Sequence, residues 1–381
     1  MKKVIFSLIV FSFLVHACKS DGESTDGQFS ILENFTVQLP FSTPVVTNSL
    51  KSATVNGKEY FWLVDSRNNC LLWFSATEGA KVEKHCFDYE GPEGIGEIVG
   101  VSRGTSSEVL FTSSKPGHYF FDPEKKNVRK VELKSRQDST FTSGNFTSNY
   151  YEDYSVIGDT GYFMQTAFLQ VTNVGRRFPN YKMVAGTSHK TWETNLSGFT
   201  FPADYHQEKQ LMPFPSLTGD DDKLVVSILM DNRLHSYSPS TGILRVHDVK
   251  SKYFPDEFPE IVNDDGQDRE EYFAVHPYYT AILYDRYRDL YYRIAKVPAG
   301  EDLNHIQARK NTYFWNPRQF SIMVLDASLK VQDEFLLPAD TYVLKNMAVT
   351  EKGLTISRMH PMNDENNVED QISFDVFLYS N

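Results

Sequence analysis

The chain has 381 residues, 50 of them acidic and 38 basic, for a net charge of −12, and 14% are aromatic. That acidic balance argues against a nucleic-acid interface, where phosphates call for a Lys/Arg surface, and against broad docking on anionic lipid headgroups. The length is generous for one domain, and the aromatic content suits pleated sheet, on which such side chains pack well.

Met1-Lys2-Lys3 is followed by an apolar run from Val4 to Val15 and then by His16-Ala17-Cys18. A basic start, a short apolar core and a small residue describe a secretory signal peptide. The run is about 12 residues, short of the roughly 20 that span a bilayer. A cysteine directly after the small residue resembles the lipobox of bacterial lipoproteins. That resemblance implies cleavage before Cys18 and a lipid on it. Residues 1–17 are thus expected to be a leader and 18–28, polar and acidic, a flexible tether. The tether is similar to the acidic stretch that follows the lipid cysteine in surface lipoproteins of Bacteroidetes.

From residue 29 to 381 short apolar runs alternate with turn residues. Tyr60–Val64 and Cys70–Phe74 flank Asp65-Ser66-Arg67-Asn68. Strands are expected again at Glu97–Val101, Glu108–Thr112, His118–Phe121 and Val128–Leu133, and Gly158-Asp159-Thr160-Gly161 has hairpin chemistry. Leu224–Leu229, Arg233–Tyr237 and Ile243–His247 make a further set. Ala281–Tyr284, Leu290–Ala295, Phe320–Leu325 and Lys330–Leu337 make another, and Leu354–Arg358 and Ser373–Tyr379 close the chain. One short helix fits Glu301–Gln307. Grouped in fours, the strands predict an all-β chain forming a single β-propeller with six blades, or seven. Asn34–Leu39 would complete the incomplete last blade and remove an exposed edge. Two stacked sandwiches are the alternative. Long loops over 168–212 and 251–280 offer binding surface.

The two cysteines of the mature domain, Cys70 and Cys86, sit on the arms of one expected hairpin, whose centre at Glu78 sets them opposite each other. Opposed Cβ atoms lie about 4.5–5.5 Å apart, slightly wide of the roughly 3.5–4.5 Å of a disulfide. A bond and two free thiols both remain open.

Chemical motifs are sparse. Gly100-Val101-Ser102-Arg103-Gly104 matches a hydrolase elbow in letters, but that motif needs a helix after it, and a strand is expected here. Asn263-Asp264-Asp265-Gly266 fails as an EF-hand because Ile261 and Tyr272 would occupy the first and twelfth ligand positions. Asp220-Asp221-Asp222 reads as a solvated acidic run. His206, His276 and His360 lie in loops without metal-ligand spacing. No catalytic residue, metal or cofactor is expected.

The strongest local signature is Tyr278-Tyr279 followed by Tyr284-Asp285-Arg286-Tyr287-Arg288-Asp289-Leu290-Tyr291-Tyr292-Arg293. As strand, turn and strand, it sends Tyr291 and Arg293 to one face and Tyr292 to the other. Two readings stand: an Arg-Asp-Tyr network tying a blade together, or a ligand-facing surface of Tyr284, Arg286, Tyr287, Arg288 and Tyr292, with tyrosines stacking on sugar rings.

This segment, with the lipoprotein start and the terminal Ser373-Phe374-Asp375-Val376-Phe377-Leu378-Tyr379, resembles an uncharacterised family of Bacteroidetes lipoproteins, similar in turn to six-bladed propeller lipoproteins. The resemblance implies a propeller on the outer membrane, facing the periplasm or the cell exterior, and supplies no catalytic residues. It also gives meaning to Asp138-Ser139-Thr140, which fits an O-glycosylation pattern at Ser139. The expected function is that of a lipid-anchored extracytoplasmic binding protein. Its partners would be the membrane, through the lipid, and a glycan, peptide or envelope protein. The alternative is a glycan hydrolase or lyase whose carboxylates come from different blades.

Overall fold

The computed structural model describes residues 28–40, 50–76, 79–102, 108–115, 118–134, 154–157, 160–165, 182–187, 191–193, 195–200, 215–219, 222–258, 266–298, 300, 303–363, 368 and 370–380. Cys18, the tether up to residue 27, Ser139, His206 and the 263–265 acidic run lie outside the described residues.

The chain is all-β, built from antiparallel four-stranded meanders. The first contains β2 (Leu50–Val55), β3 (Lys58–Asp65), β4 (Cys70–Ser75) and β5 (Gly79–Cys86). The second contains β6 (Ile98–Ser102), β7 (Val109–Ser113), β8 (His118–Asp122) and β9 (Asn127–Lys134). The third contains β10 (Tyr154–Ile157), β11 (Thr160–Gln165), β12 (Lys182–Thr187) and β14 (Asn195–Thr200). Just before β14, the short β13 (Thr191–Glu193) leaves to pair in parallel with the outer edge of β9. The fourth contains β15 (Pro215–Gly219), β16 (Leu224–Ile228), β17 (Arg233–Ser238) and β18 (Ile243–Asp248).

Helix α1 (Gly266–Val275) then leads into the fifth, β19 (Tyr278–Asp285), β20 (Leu290–Lys296), β21 (Phe320–Leu325) and β22 (Val331–Leu336). Helices α2 (Leu303–Ala308) and α3 (Lys310–Trp315) are inserted between β20 and β21. The last three strands are β23 (Val343–Thr350), β24 (Gly353–Ser357) and β25 (Gln371–Ser380). The first strand of the chain, β1 (Gln28–Gln38), pairs antiparallel with β25 and makes this set four. It begins at Gln28, the last residue of the expected tether. Leu50 of β2 also bridges to Asn346 of β23, so the first and last sets share one eight-stranded sheet.

The core lies between meanders. Alternation sends Trp62 and Val64 of β3 to a cluster shared with Val101, Phe111 and Phe121 of the second meander. It sends Phe61 and Leu63 to a cluster shared with Val37, Ile372 and Phe374 of the last. In β20, Tyr291 and Ala295 pack with Val225 and Leu234 of the fourth meander. Tyr292 and Ile294 pack with Met347, Leu354 and Phe377 of the sixth. Both faces of these strands are covered, so β20 is buried along its whole length and β3 from Phe61 to Asp65.

One turn device recurs. Asp65, Asp122 and Asp285 each end a strand and Asp326 directly follows one, and all four accept backbone N–H groups two to four residues on, at 2.8–3.2 Å. Near the end of each turn Asn69, Lys126, Asp289 or Leu329 takes φ of 51–64°. The aspartate satisfies donors that the tight turn leaves unpaired.

Two expectations on helices need correction. The 251–280 stretch was expected to be a loop, yet it holds α1, and α3 adds a second helix to the one expected over 301–307. In α1 the polar residues Gln267–Glu271 precede the apolar Tyr272–Val275. Polarity is divided along the helix axis, so no 3.6-residue stripe marks it.

Candidate functional site

The tyrosine-rich hairpin turns between β19 and β20 at Asp285. The Asp285 carboxylate is fully buried and accepts from the turn N–H groups, from Arg288 Nη1 at 3.0 Å and from the Tyr292 hydroxyl at 3.0 Å. Arg288 Nη2 donates to the Glu351 carbonyl at 2.6 Å, in the β23–β24 turn. Arg286 donates to Thr54 Oγ1 at 2.7 Å and to the Tyr287 hydroxyl at 2.7 Å, and that hydroxyl donates to Glu59 Oε1 at 2.5 Å. Tyr284 donates to Asp289 at 3.2 Å. The turn is therefore latched to the β2–β3 hairpin on one side and the β23–β24 hairpin on the other.

Of the set expected to face a ligand, Tyr292 and Arg288 are engaged within the fold. Tyr292 is wholly buried, and burial and then Asp285 push its phenol above the usual range. Arg288 is taken up by a carboxylate and a carbonyl. Arg286 and Tyr287 remain exposed, but their polar atoms engage each other and Glu59. Tyr287 is raised by burial first and then by its bond to Glu59. Arg293, on the opposite face of β20, is also buried. Its guanidinium lies 3.3 Å from the centre of the Tyr279 ring and donates to Ser227 Oγ and to the Asp231 and Asn232 carbonyls.

A second polar cluster joins α2, α3 and two loops. Arg309, which can only donate, bonds to His305 Nδ1 at 3.0 Å. A neutral His305 therefore carries its proton on Nε2, which lies 3.0 Å from the Tyr313 hydroxyl. Tyr313 donates to Asp340 at 3.1 Å, and Arg318 holds the other oxygen of that carboxylate. Burial, followed by Asp340, pushes the Tyr313 phenol up to about 12. Behind Tyr313, the buried His360 accepts from the Met362 N–H at Nδ1 and faces the Asn316 carbonyl through Nε2. Its imidazole is lowered, chiefly by burial. Lys296, fully buried, donates to the Ala274 and His276 carbonyls at 2.9 and 2.8 Å and so caps the end of α1. Burial brings its amine down to about 7. The cluster ties α2 and α3 to the loops that carry Asp340 and His360. No local motif marks it, because its members are scattered from residue 274 to residue 362.

His276 packs on Tyr272 and His360 on Tyr313, and among the described residues no group of His, Cys, Asp or Glu is arranged to hold a metal ion. Gly100–Ser102 lies on β6, and the next described element is strand β7. Asp222 accepts from Ser238 and from Ser240.

The third feature is a cleft of about 820 Å³. One wall is the end of β5 with the loop after it, including His85, Phe87, Asp88 and Glu93. The other is the β8–β9 hairpin, including Tyr119, Lys126 and Lys130. Cys70 and Cys86 face each other in register, and their sulfurs are bonded. The disulfide thus ties the β5 wall to β4.

The sequence pattern of the DUF4221 domain, a domain of unknown function, matches residues 28–334, and the chain belongs to this family. The crystal structure of a DUF4221 member from Bacteroides vulgatus is similar in fold, with a TM-score of 0.73 at 18% identity over 93% of this chain and 99% of that one. A calcium-binding protein, regucalcin, from Agrobacterium tumefaciens gives 0.46 at 9% identity, covering 89% of this chain and 95% of that one. Virginiamycin B lyase from Staphylococcus aureus gives 0.44 at 10%, covering 92% of this chain and 100% of that one. No curated protein matches the chain.

Proposed function

We propose that this member of the DUF4221 family is a non-catalytic binding protein, held outside the cytoplasm by a lipid on Cys18 and built as one six-bladed propeller. The six four-stranded sets, the core clusters shared by successive sets and the pairing of β1 with β25 support that architecture. Its ligand would be a glycan, a peptide or an envelope protein, met by loops on the rigid ring.

The observation that carries the non-catalytic reading is the state of the buried carboxylates. Among the described residues these are Asp65, Asp122, Asp231, Asp285, Glu334 and Asp375. Each already engages donors of the fold: Asn68, Lys125, Arg233, Arg288, Ser251 and Tyr342 in turn. A glycan hydrolase needs two carboxyl groups free to trade protons with substrate. Calorimetry of the soluble domain against a glycan and peptide panel tests the reading. Saturable binding without product is the expected result, and steady turnover of any panel member would overturn it. Cell fractionation tests the anchor: the protein should follow the membranes, the Cys18→Ala variant should not, and equal partition of the two would exclude the lipid.

A further inference from the structure

We propose that the cleft between β5 and the β8–β9 hairpin is the binding site, and that it takes an acidic saccharide through Lys126, Lys130 and the ring of Phe87. The proposal rests on the reading of the chain as a binding protein and gives that reading a place and a ligand chemistry.

The volume of about 820 Å³ lies within the range of small-ligand sites. Three lysines line the cleft. Lys115 is committed to the Gly94 carbonyl at 2.6 Å, which fixes the loop of the opposite wall. Lys126 and Lys130 make no hydrogen bond or ion pair to protein among the described residues, and Lys130 only overlooks the Tyr119 ring at 5.9 Å. Lys125, next in sequence to Lys126, is instead paired with Asp122. The αL conformation of Lys126, φ 51°, belongs to the turn device that places this pair.

Two acids, Asp88 and Glu93, stand on the other wall, both exposed to water. The charge of Lys126 nevertheless reaches the inner wall. Burial and then the charge of Lys126 lower the His85 imidazole. An anion therefore gains there in a chain whose net charge is negative.

The aromatic part of the wall selects among anions. Phe87 is half-buried at the cleft and packs against His85, Phe111 and Phe121, which hold its ring in place. A uronic acid carries its carboxylate on the same pyranose ring that presents an apolar C–H face. One residue of such a chain thus offers both an apolar face and an anion to a cleft lined by Phe87, Lys126 and Lys130. The Cys70–Cys86 disulfide holds the strand end that carries His85 and Phe87.

The test is calorimetry with a galacturonate trimer, the neutral galactose trimer and a hexaglutamate peptide. The variants are Lys126→Glu/Lys130→Glu and Phe87→Ala, each checked for an unchanged near-ultraviolet circular dichroism spectrum. Support would be saturable binding of the galacturonate trimer, weakened by added salt, at least tenfold weaker in each variant and weaker still for the galactose trimer. Equal or tighter binding of hexaglutamate overturns the saccharide assignment. Trimer binding that the folded variants leave unchanged overturns the cleft while leaving the binding-protein reading standing. The same holds if the trimer fails and another panel member binds. If nothing in this panel binds, the cleft assignment falls, and the binding-protein reading is decided by the wider panel and its turnover readout.

Discussion

The β19–β20 hairpin and the β5/β8–β9 cleft are both rich in cations and rings, and they use them in opposite ways. In the hairpin every guanidinium meets a partner: Arg286 meets Thr54 and Tyr287, Arg288 meets Asp285 and Glu351, and Arg293 meets the carbonyls around Asp231. In the cleft, Lys126 and Lys130 make no hydrogen bond or ion pair to protein among the described residues. The difference lies in what stands beside each turn. The hairpin turn abuts two neighbouring hairpins, whose carbonyls and carboxylates it satisfies. The β8–β9 turn stands across a gap from the next wall. A planar guanidinium suits the first setting, where several fixed acceptors must be reached at once, and a flexible ammonium suits the second.

If the hairpin is a fastener, removing its hub should cost the most. Asp285→Ala leaves Arg288 and the Tyr292 hydroxyl without their buried acceptor. A loss of about 3–5 kcal/mol is expected, of the size seen when one member of a buried charged network is deleted. Urea unfolding followed by fluorescence measures it, and a loss under about 1 kcal/mol would break the contrast with the cleft. Next in size is the disulfide, which closes a sequence separation of 16 residues. Cys70→Ser/Cys86→Ser should cost about 3 kcal/mol, read as a lower urea midpoint that reductant no longer shifts.

A smaller effect separates the buried cation of Lys296 from the exposed ones. Its folded-state amine sits at about 7, below its ordinary value of 10.5. Between those values the unfolded chain binds the extra proton. The cost of burying the charge is therefore fully present below pH 7 and is relieved as pH rises toward 10.5. From pH 7 to 9 this group should add about 2 kcal/mol of stability at most. Unfolding curves at both pH values, for wild type and Lys296→Met, isolate it: only the wild type should carry the gain.

The strands were legible because both of their faces are buried, so that Tyr60–Val64 reads as an apolar run and Leu290–Ala295 as one broken only by Arg293. The β1–β25 closure was legible because an incomplete last set needs a partner strand. The tyrosine-rich turn was legible as a turn, but its role depended on Glu59, Thr54 and Glu351, more than 60 residues away in sequence. The recurring aspartate could have been read: Asp65-Ser66-Arg67-Asn68-Asn69, Asp122-Pro123-Glu124-Lys125-Lys126 and Asp285-Arg286-Tyr287-Arg288-Asp289 share one spacing to the αL position. The cleft could not be read, since its walls come from different meanders and the signal is what its lysines fail to touch.

The smallest expected effect sharpens the comparison most. Charge reversal at Lys126 and Lys130 removes no bond that the fold uses, so unfolding free energy should move by less than about 0.5 kcal/mol. Reversal at Arg288, by contrast, would set a second carboxylate beside the buried Asp285 and should prevent folding or cost several kcal/mol. Parallel urea titrations of Lys126→Glu/Lys130→Glu and Arg288→Glu compare the two directly. If the lysine pair proved as costly as the arginine, the cleft would be a second fastener, and its positive charge would serve the fold. If the lysine pair is silent in stability, that charge answers to something outside the chain.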